Sequence, residues 1–306
     1  MSSGPTPGPG RDRRGAQVVA LTGGTSGIGR ATVEALLDRG ADVVFVGRDR
    51  ERSHALAAEL GGRYPERRVA AVGADLSVTG AVRDTAQRIR VVLRDWDAGG
   101  LSALINNAAF VSTWRMITAE GYEQQFAVNH LAPFLLTREL LPVLETGAPG
   151  RVIVLSSGSH RGARVRWDDP MLTRGYSLLR AYRQSKLANA LFCMEFNRRH
   201  AAGSGVRAYA VDPGLVRTGI GSKESGGIER LVWKLRTRSR KAVEPEVPAR
   251  AIAELAAAAE VDRPEHWYRR RDEPAVPDAA ATDAVAGARL WALSERLCDD
   301  QPQEEL

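Results

Sequence analysis

The sequence predicts an α/β fold: a doubly wound parallel sheet of about seven strands with helices on both faces. Three observations predict it. Short apolar segments alternate with amphipathic stretches along most of the chain. The apolar segments run without the in–out alternation of a half-exposed strand, so both faces of their sheet are covered. A glycine-rich turn, LTGGTSGIGR (21–30), joins the first apolar segment to the first helical one.

QVVAL (17–21) reads as the first buried strand, and after the turn Ile28, Ala31, Ala35 and Leu36 recur at helical spacing until Gly40. ADVVFVG (41–47) is the second strand; a helix near 49–60 follows, with Asp49 as its cap. RVAAVGADL (68–76) is the third strand and 78–94 is helical. LSALINNAA (101–109) carries the fourth, and a long helical stretch over 118–144 is interrupted near Pro133. RVIVLSS (151–157) is the fifth, followed by an irregular segment with Gly158, Gly162, Pro170 and Gly175. A helix over 179–202 leads into VRAYAVDPG (206–214), the sixth; Trp267 and Tyr268 begin a short last strand. The proline- and alanine-rich 272–285 reads as a surface connector. The expected organisation is a disordered tail over 1–16, one Rossmann-type domain over 17–298, and a frayed end over 299–306.

The 306 residues are 43% hydrophobic, enough for a sizeable core, yet no apolar run reaches the roughly twenty residues of a membrane span. Residues 1–16 lack the apolar centre of a secretory signal. Two cysteines, Cys193 and Cys298, make no disulfide framework, and the five histidines fall in no metal-ligand pattern, so no metal and a reducing cytoplasm are expected. The net charge is +6, but all but four of the 43 cationic residues are arginines. That points to the coding bias of a GC-rich bacterial genome, and not to a nucleic-acid partner.

Gly23, Gly27 and Gly29 fit the spacing T-G-x-x-x-G-x-G. Missing side chains let the chain turn tightly and let a ligand approach the backbone of Gly23, Thr25, Ser26, Gly27, Ile28 and Gly29. The helix N-terminus behind the turn favours an anion, and a pyrophosphate is the natural occupant. In AYRQSK (181–186), Tyr182 and Lys186 are four apart and share a helix face. A phenol with a pKa near 10 exchanges protons poorly at neutral pH. A neighbouring ammonium lowers that pKa and makes Tyr182 a candidate general acid/base. Tyr176 has Arg180 four residues on, and arginine lacks the compact ammonium of lysine.

TGGTSGIG (22–29), INNAA (105–109), Asn129, VLSS (154–157), Tyr182-x-x-x-Lys186 and VDPG (211–214) occur in the order of the short-chain dehydrogenase/reductase family, which the chain resembles over about 17–298. FAVNHLAPFLLT (126–137), RVIVLSSGSH (151–160), AYRQSKLAN (181–189) and ARLWALSERL (288–297) resemble its retinol dehydrogenase and WW-domain oxidoreductase-type branch. The resemblance implies NAD(P)-dependent interconversion of carbonyl and alcohol. It implies that Tyr182 protonates the carbonyl oxygen, that Lys186 holds the nicotinamide ribose and depresses the tyrosine pKa, and that Ser157 binds the substrate oxygen. Ser156 competes for that role, but strand alternation puts the two serines on opposite faces. Asn129 would hold a water that relays protons to Lys186. Asp75, with Leu76, would meet the adenine. Asn106 would brace the strand beside the adenosine ribose, with Asn107 and Ala108 at the cofactor or, for Asn107, only in a turn. Ala109 replaces a more usual glycine. Pro213, Gly214 and Val216 would pass the nicotinamide, with Thr218 at its carboxamide or the phosphates. A homodimer or homotetramer is usual for the family.

After the second strand, NAD-specific proteins carry an acid for the ribose 2′-hydroxyl. Here that slot reads Gly47, followed by Arg48, which suits a 2′-phosphate. NADP(H) is the expected cofactor, with NAD(H) as the alternative, and reduction of an apolar or aromatic ketone or aldehyde is the expected reaction. An alcohol dehydrogenase working oxidatively and a non-catalytic nucleotide sensor stay open. Two segments are expected to shape the substrate pocket. One is 158–180, with Arg161, Arg164, Arg166, Trp167 and Met171; the other is 215–245. Within the second, IERLVWKLRTRSRK (228–241) reads as a lid helix, a membrane-surface patch, a dock for an acidic carrier protein, or a solvated basic face.

Overall fold

The computed structural model describes residues 16–200, 203–217, 242–261, 267–271 and 273–299. The 1–15 tail, Thr218 and the basic 228–241 stretch lie outside them. The strands are β1 (Val18–Thr22), β2 (Asp42–Gly47), β3 (Val69–Gly73), β4 (Ala103–Asn106), β5 (Arg151–Leu155), β6 (Arg207–Asp212), β7 (Tyr268–Arg270) and β8 (Glu273–Pro274). They form one sheet in the order β3-β2-β1-β4-β5-β6-β7-β8. Every neighbouring pair is parallel except the β7–β8 hairpin. The expected doubly wound parallel sheet is therefore present, with one short antiparallel strand at its edge.

The period-two geometry of a strand sorts each segment into two cores. On one face Val18, Ala20, Val44, Val46, Leu104, Val152, Val154, Ala208 and Ala210 are buried. They meet α3 (Thr79–Asp95), α5 (Ala132–Glu145) and α6 (Leu178–His200) through residues such as Ile89, Leu140 and Leu191. On the other face Val19, Leu21, Phe45, Ile105, Ile153 and Val211 meet α1 (Gly27–Asp38), α2 (Arg50–Arg63) and α7 (Glu246–Ala257) through Leu36, Leu60 and Ile252. The register sets Leu21 beside Phe45 and Ile105. Helix α8 (Ala284–Asp299) lies outside α6, where Trp291 is edge-on to Phe134 at 5.0 Å and stacked on Phe192 at 6.0 Å.

Three boundaries differ from the sequence expectation. The long helix begins at α4 (Gln124–Phe126), not at 118, because Thr118 to Gly121 turn back and Glu123 caps the Gln125 and Phe126 N–H groups. Its irregularity is not at Pro133 but one turn earlier, a π-turn over Ala127–Leu131. Pro133 sits in the first turn of α5, where a missing N–H costs nothing. At the other end, Asp299 is not frayed: it closes α8 and accepts from Arg138 at 2.6 and 3.1 Å.

Candidate active site

All parallel strands point their carboxyl ends the same way, and the sequence-selected residues gather there. At the end of β1, Gly23 has φ +74° and Gly27 φ +53°, conformations that side-chain-bearing residues avoid. A Cβ on Gly23 would lie 2.9 Å from the Ala108 Cα, and one on Gly29 would collide with the Gly23 carbonyl oxygen. Gly23 and Gly24 N–H groups donate to the Val46 carbonyl at 2.8 and 3.1 Å. Ser26, ahead of α1, makes no side-chain cap. The first amides of α1, those of Gly27, Ile28 and Gly29, have no partner within the helix, which suits an anion.

Asn107, not Asn106, braces this turn. Its Nδ2 donates to the Thr22 and Gly23 carbonyls at 2.9 and 3.2 Å, and the Thr22 Oγ1 accepts the Asn107 and Ala108 N–H groups at 3.1 and 3.0 Å. Asn106, buried on the opposite face, donates instead to Thr137 Oγ1 of α5 at 3.2 Å. Asn106 thus braces its strand against α5, and Asn107, one residue on, reaches the turn, because consecutive strand residues face opposite ways. Ala109 has no positive φ, so alanine in place of glycine carries no strain there.

Next to the turn, a Cβ on Gly47 would collide with Ser53 Oγ and lie 2.6 Å from Thr25 Cγ2. The slot for an acid is thus filled by neighbours, while Arg48 is exposed directly after it. Asp49 accepts from Arg52 N–H at 3.0 Å and caps α2, as expected. Asp75 is exposed at the end of β3 and accepts from Ser77 N–H at 2.9 Å, with Leu76 buried beside it.

At the end of β5 the two serines separate. Ser156 is buried and donates to the Lys186 carbonyl at 2.9 Å. Ser157 is half-buried and opens a 3-10 turn (Gly158–His160), its Oγ accepting Ser159 N–H at 3.3 Å. Lys186 projects from α6, fully buried, with Nζ 5.6 Å from the Tyr182 ring centroid and 2.8 Å from the Leu155 carbonyl oxygen to which it donates. Burial lowers its pKa to about 8, against the opposing pull of the Asp212 carboxylate. Asp212 ends β6 and accepts Gly214 N–H at 2.9 Å, holding Gly214 at φ +77° beside Pro213. Val216 bridges to Val243.

Asn129 is buried in the π-turn. Its Oδ1 accepts Phe110 N–H at 2.7 Å, while Nδ2 donates to the Phe110 carbonyl at 3.0 Å and to Ser185 Oγ at 3.1 Å. Both amide protons are committed, to Phe110 and Ser185. Ser185 Oγ donates to the Tyr182 carbonyl at 2.8 Å, so the asparagine acts on the tyrosine's helix. Tyr176, the contrasting tyrosine, donates to the Ser112 carbonyl and accepts from Gln125, both at 2.8 Å.

The 158–180 segment splits. Arg161 donates to the Val276 carbonyl at 2.6 Å, Trp167 lies under Arg289, and the Met171 carbonyl accepts from Arg115 at 2.9 Å. These three hold the segment down. Arg164 and Arg166 line a cavity of about 330 Å³ with Arg180 and Arg183, without a carboxylate in its lining. It opens on the Arg183 side of α6, about 100° around the helix from Tyr182.

Sequence reading missed Thr22, Ser185 and Asp212. Thr22 and Asp212 each end a strand directly before a glycine or proline turn, which is a usable signal. Among the described residues there is no cluster of three His, Cys, Asp or Glu side chains that could hold a metal ion. Among them, too, no helix is long and apolar enough to cross a membrane.

The family described as short chain dehydrogenase matches residues 17–227. Human retinol dehydrogenase 13 is 34% identical over 290 residues, covering 92% of this chain and 84% of that protein. Mouse polyprenol dehydrogenase is 35% identical over 303 residues, covering 95% and 84%. An uncharacterized protein from Mycobacterium paratuberculosis superposes with a TM-score of 0.68 at 30% identity, covering 94% of this chain and 95% of that one. A short-chain dehydrogenase from Sphingobium yanoikuyae in complex with NADPH gives 0.60 at 26% identity, covering 95% and 98%. The chain belongs to the short-chain dehydrogenase/reductase family and is an NAD(P)-dependent oxidoreductase of that kind.

Proposed function

We propose that this protein is an NADPH-dependent carbonyl reductase that converts an apolar or aromatic ketone or aldehyde to the alcohol. The observation that carries the reading is the pairing of Tyr182 with a buried Lys186 on α6, beside Ser157 at the end of β5. The glycine turn at the end of β1 is packed so closely that a Cβ at Gly23 or Gly29 would strike its protein neighbours, and the first amides of α1 behind it suit a dinucleotide's phosphates.

NADPH, when bound, supplies the hydride for the carbonyl carbon. Ser157 Oγ donates a hydrogen bond to the carbonyl oxygen and fixes its direction. Tyr182 gives its phenolic proton to that oxygen, and the Lys186 ammonium favours the phenolate left behind. Asp212 and Gly214 shape the turn at the nicotinamide end, and Asn129 acts as a positioning residue through Ser185. For the 2′-phosphate the closed Gly47 slot and exposed Arg48 support NADP(H) over NAD(H).

The reverse direction is the second reading, favoured by the names of the relatives: retinol and polyprenol are both apolar alcohols. A panel of ketones, aldehydes and their alcohols, followed by NADPH absorbance in both directions, tests both. Turnover of apolar carbonyls supports the proposal. Binding of NADPH without turnover of any member would instead favour a nucleotide sensor.

A further inference from the structure

Beside Ser157 the chain buries a histidine that the mechanism above leaves without a task. His160 is fully buried and ends the 3-10 turn that Ser157 opens. Its Nδ1 lies 2.7 Å from the Ser157 carbonyl oxygen, and its Nε2 lies 3.3 Å from the backbone nitrogen of Asp278. A carbonyl only accepts and a backbone N–H only donates. The two partners therefore assign one form of the ring: neutral, with the proton on Nδ1. The Tyr268 ring packs against it, centroids 5.0 Å apart, with Oη 3.5 Å from the same Nδ1.

The histidine is one of three ties between this turn and a segment more than a hundred residues later. Arg161 Nη2 donates to the Val276 carbonyl at 2.6 Å, and Gly162 N–H donates to Asp278 Oδ2 at 3.3 Å. Asp278 is itself held, since its Oδ1 accepts Ala280 N–H at 3.1 Å. By contrast, the Ser157 hydroxyl oxygen accepts one long bond, from Ser159 N–H at 3.3 Å. Its carbonyl takes two shorter ones, from the His160 backbone N–H at 3.0 Å and from the imidazole. The serine's backbone is thus held more firmly than its side chain.

We propose that His160 is a positioning residue for Ser157. Its neutral ring, seated against the Asp278 segment, donates to the serine carbonyl and so aims the hydroxyl at the substrate oxygen. The proposal rests on the reading of Ser157 as the ligand of that oxygen.

The test is steady-state reduction of the best carbonyl compound of the panel by His160→Asn, His160→Gln and His160→Leu, alone and with Ser157→Ala. Asparagine offers an amide donor at the level of Nδ1; glutamine reaches only the level of Nε2. The expected result is kcat within about threefold of wild type for Asn, a fall of about tenfold for Gln and Leu, and an unchanged KM for NADPH in all three. In the Ser157→Ala background, His160→Gln should lower kcat no further, because both changes act through one hydroxyl. Wild-type kcat in His160→Gln, or two losses that multiply, would overturn the role of the histidine while leaving Ser157 in place. An unchanged kcat in Ser157→Ala would remove the serine reading, and this proposal with it. If His160→Leu does not fold, the Asn and Gln pair still decides.

Discussion

At Lys186 burial and function pull in opposite directions. The helix that brings its ammonium to Tyr182 also removes it from water, and burial lowers its pKa to about 8. Between that value and the 10.5 of a free lysine, the unfolded chain holds a proton that the folded chain has released. Stability should therefore rise with pH across this window. Comparing wild type with Lys186→Met isolates the effect: from pH 8 to pH 10 the wild-type melting temperature should gain on the variant. Parallel curves would show that the lysine is ordinary. Arg48 is a simpler case. It is exposed, next to a slot that Ser53 and Thr25 close to any side chain. Arg48→Ala should weaken NADPH by about tenfold or more and NADH by less than twofold, read by fluorescence titration, because only NADPH offers a 2′-phosphate to the guanidinium. Equal losses would refute the 2′-phosphate assignment.

At the scale of elements, the π-turn between α4 and α5 is an irregular piece of the site's frame that is held by side-chain hydrogen bonds. Asn129 answers both backbone groups of Phe110 and passes a hydrogen bond through Ser185 to Tyr182. Asn129→Leu leaves those groups unpaired. We expect a loss on the order of 1–3 kcal/mol in urea unfolding together with a fall in kcat; an unchanged unfolding midpoint would contradict the bonding pattern. The two ends of the site were not equally legible. Tyr182-x-x-x-Lys186 and the glycine turn are short-range patterns, and helix and turn geometry alone put their residues on one side. For Asn107 the sequence left the cofactor and a turn open, because one residue of strand phase decides which asparagine reaches the turn. Pro133 misled for a local reason: it marks a first helical turn, where proline is tolerated, not the break itself.

At the scale of the whole molecule, the sheet order brings the ends of β1, β4, β5 and β6 side by side, so segments from residue 22 to residue 214 share one site. That convergence was legible from the alternation of strands and helices. Closure of the later chain was not. Asp278 and His160 are 118 residues apart and meet only because β7 and β8 extend the sheet past β6. Nothing in the spacing of either residue signals the contact. The docking of α8 against α6 through Trp291 is of the same kind, set by the aromatic cluster of Phe134 and Phe192. The proposed reduction depends on Tyr182 as the proton donor to a carbonyl held against NADPH. Its most direct measurement is Tyr182→Phe, assayed for NADPH binding and for carbonyl reduction in the same preparation. The prediction is binding within about twofold of wild type and a rate lower by about 10²–10⁴; wild-type reduction by the phenylalanine variant would contradict it.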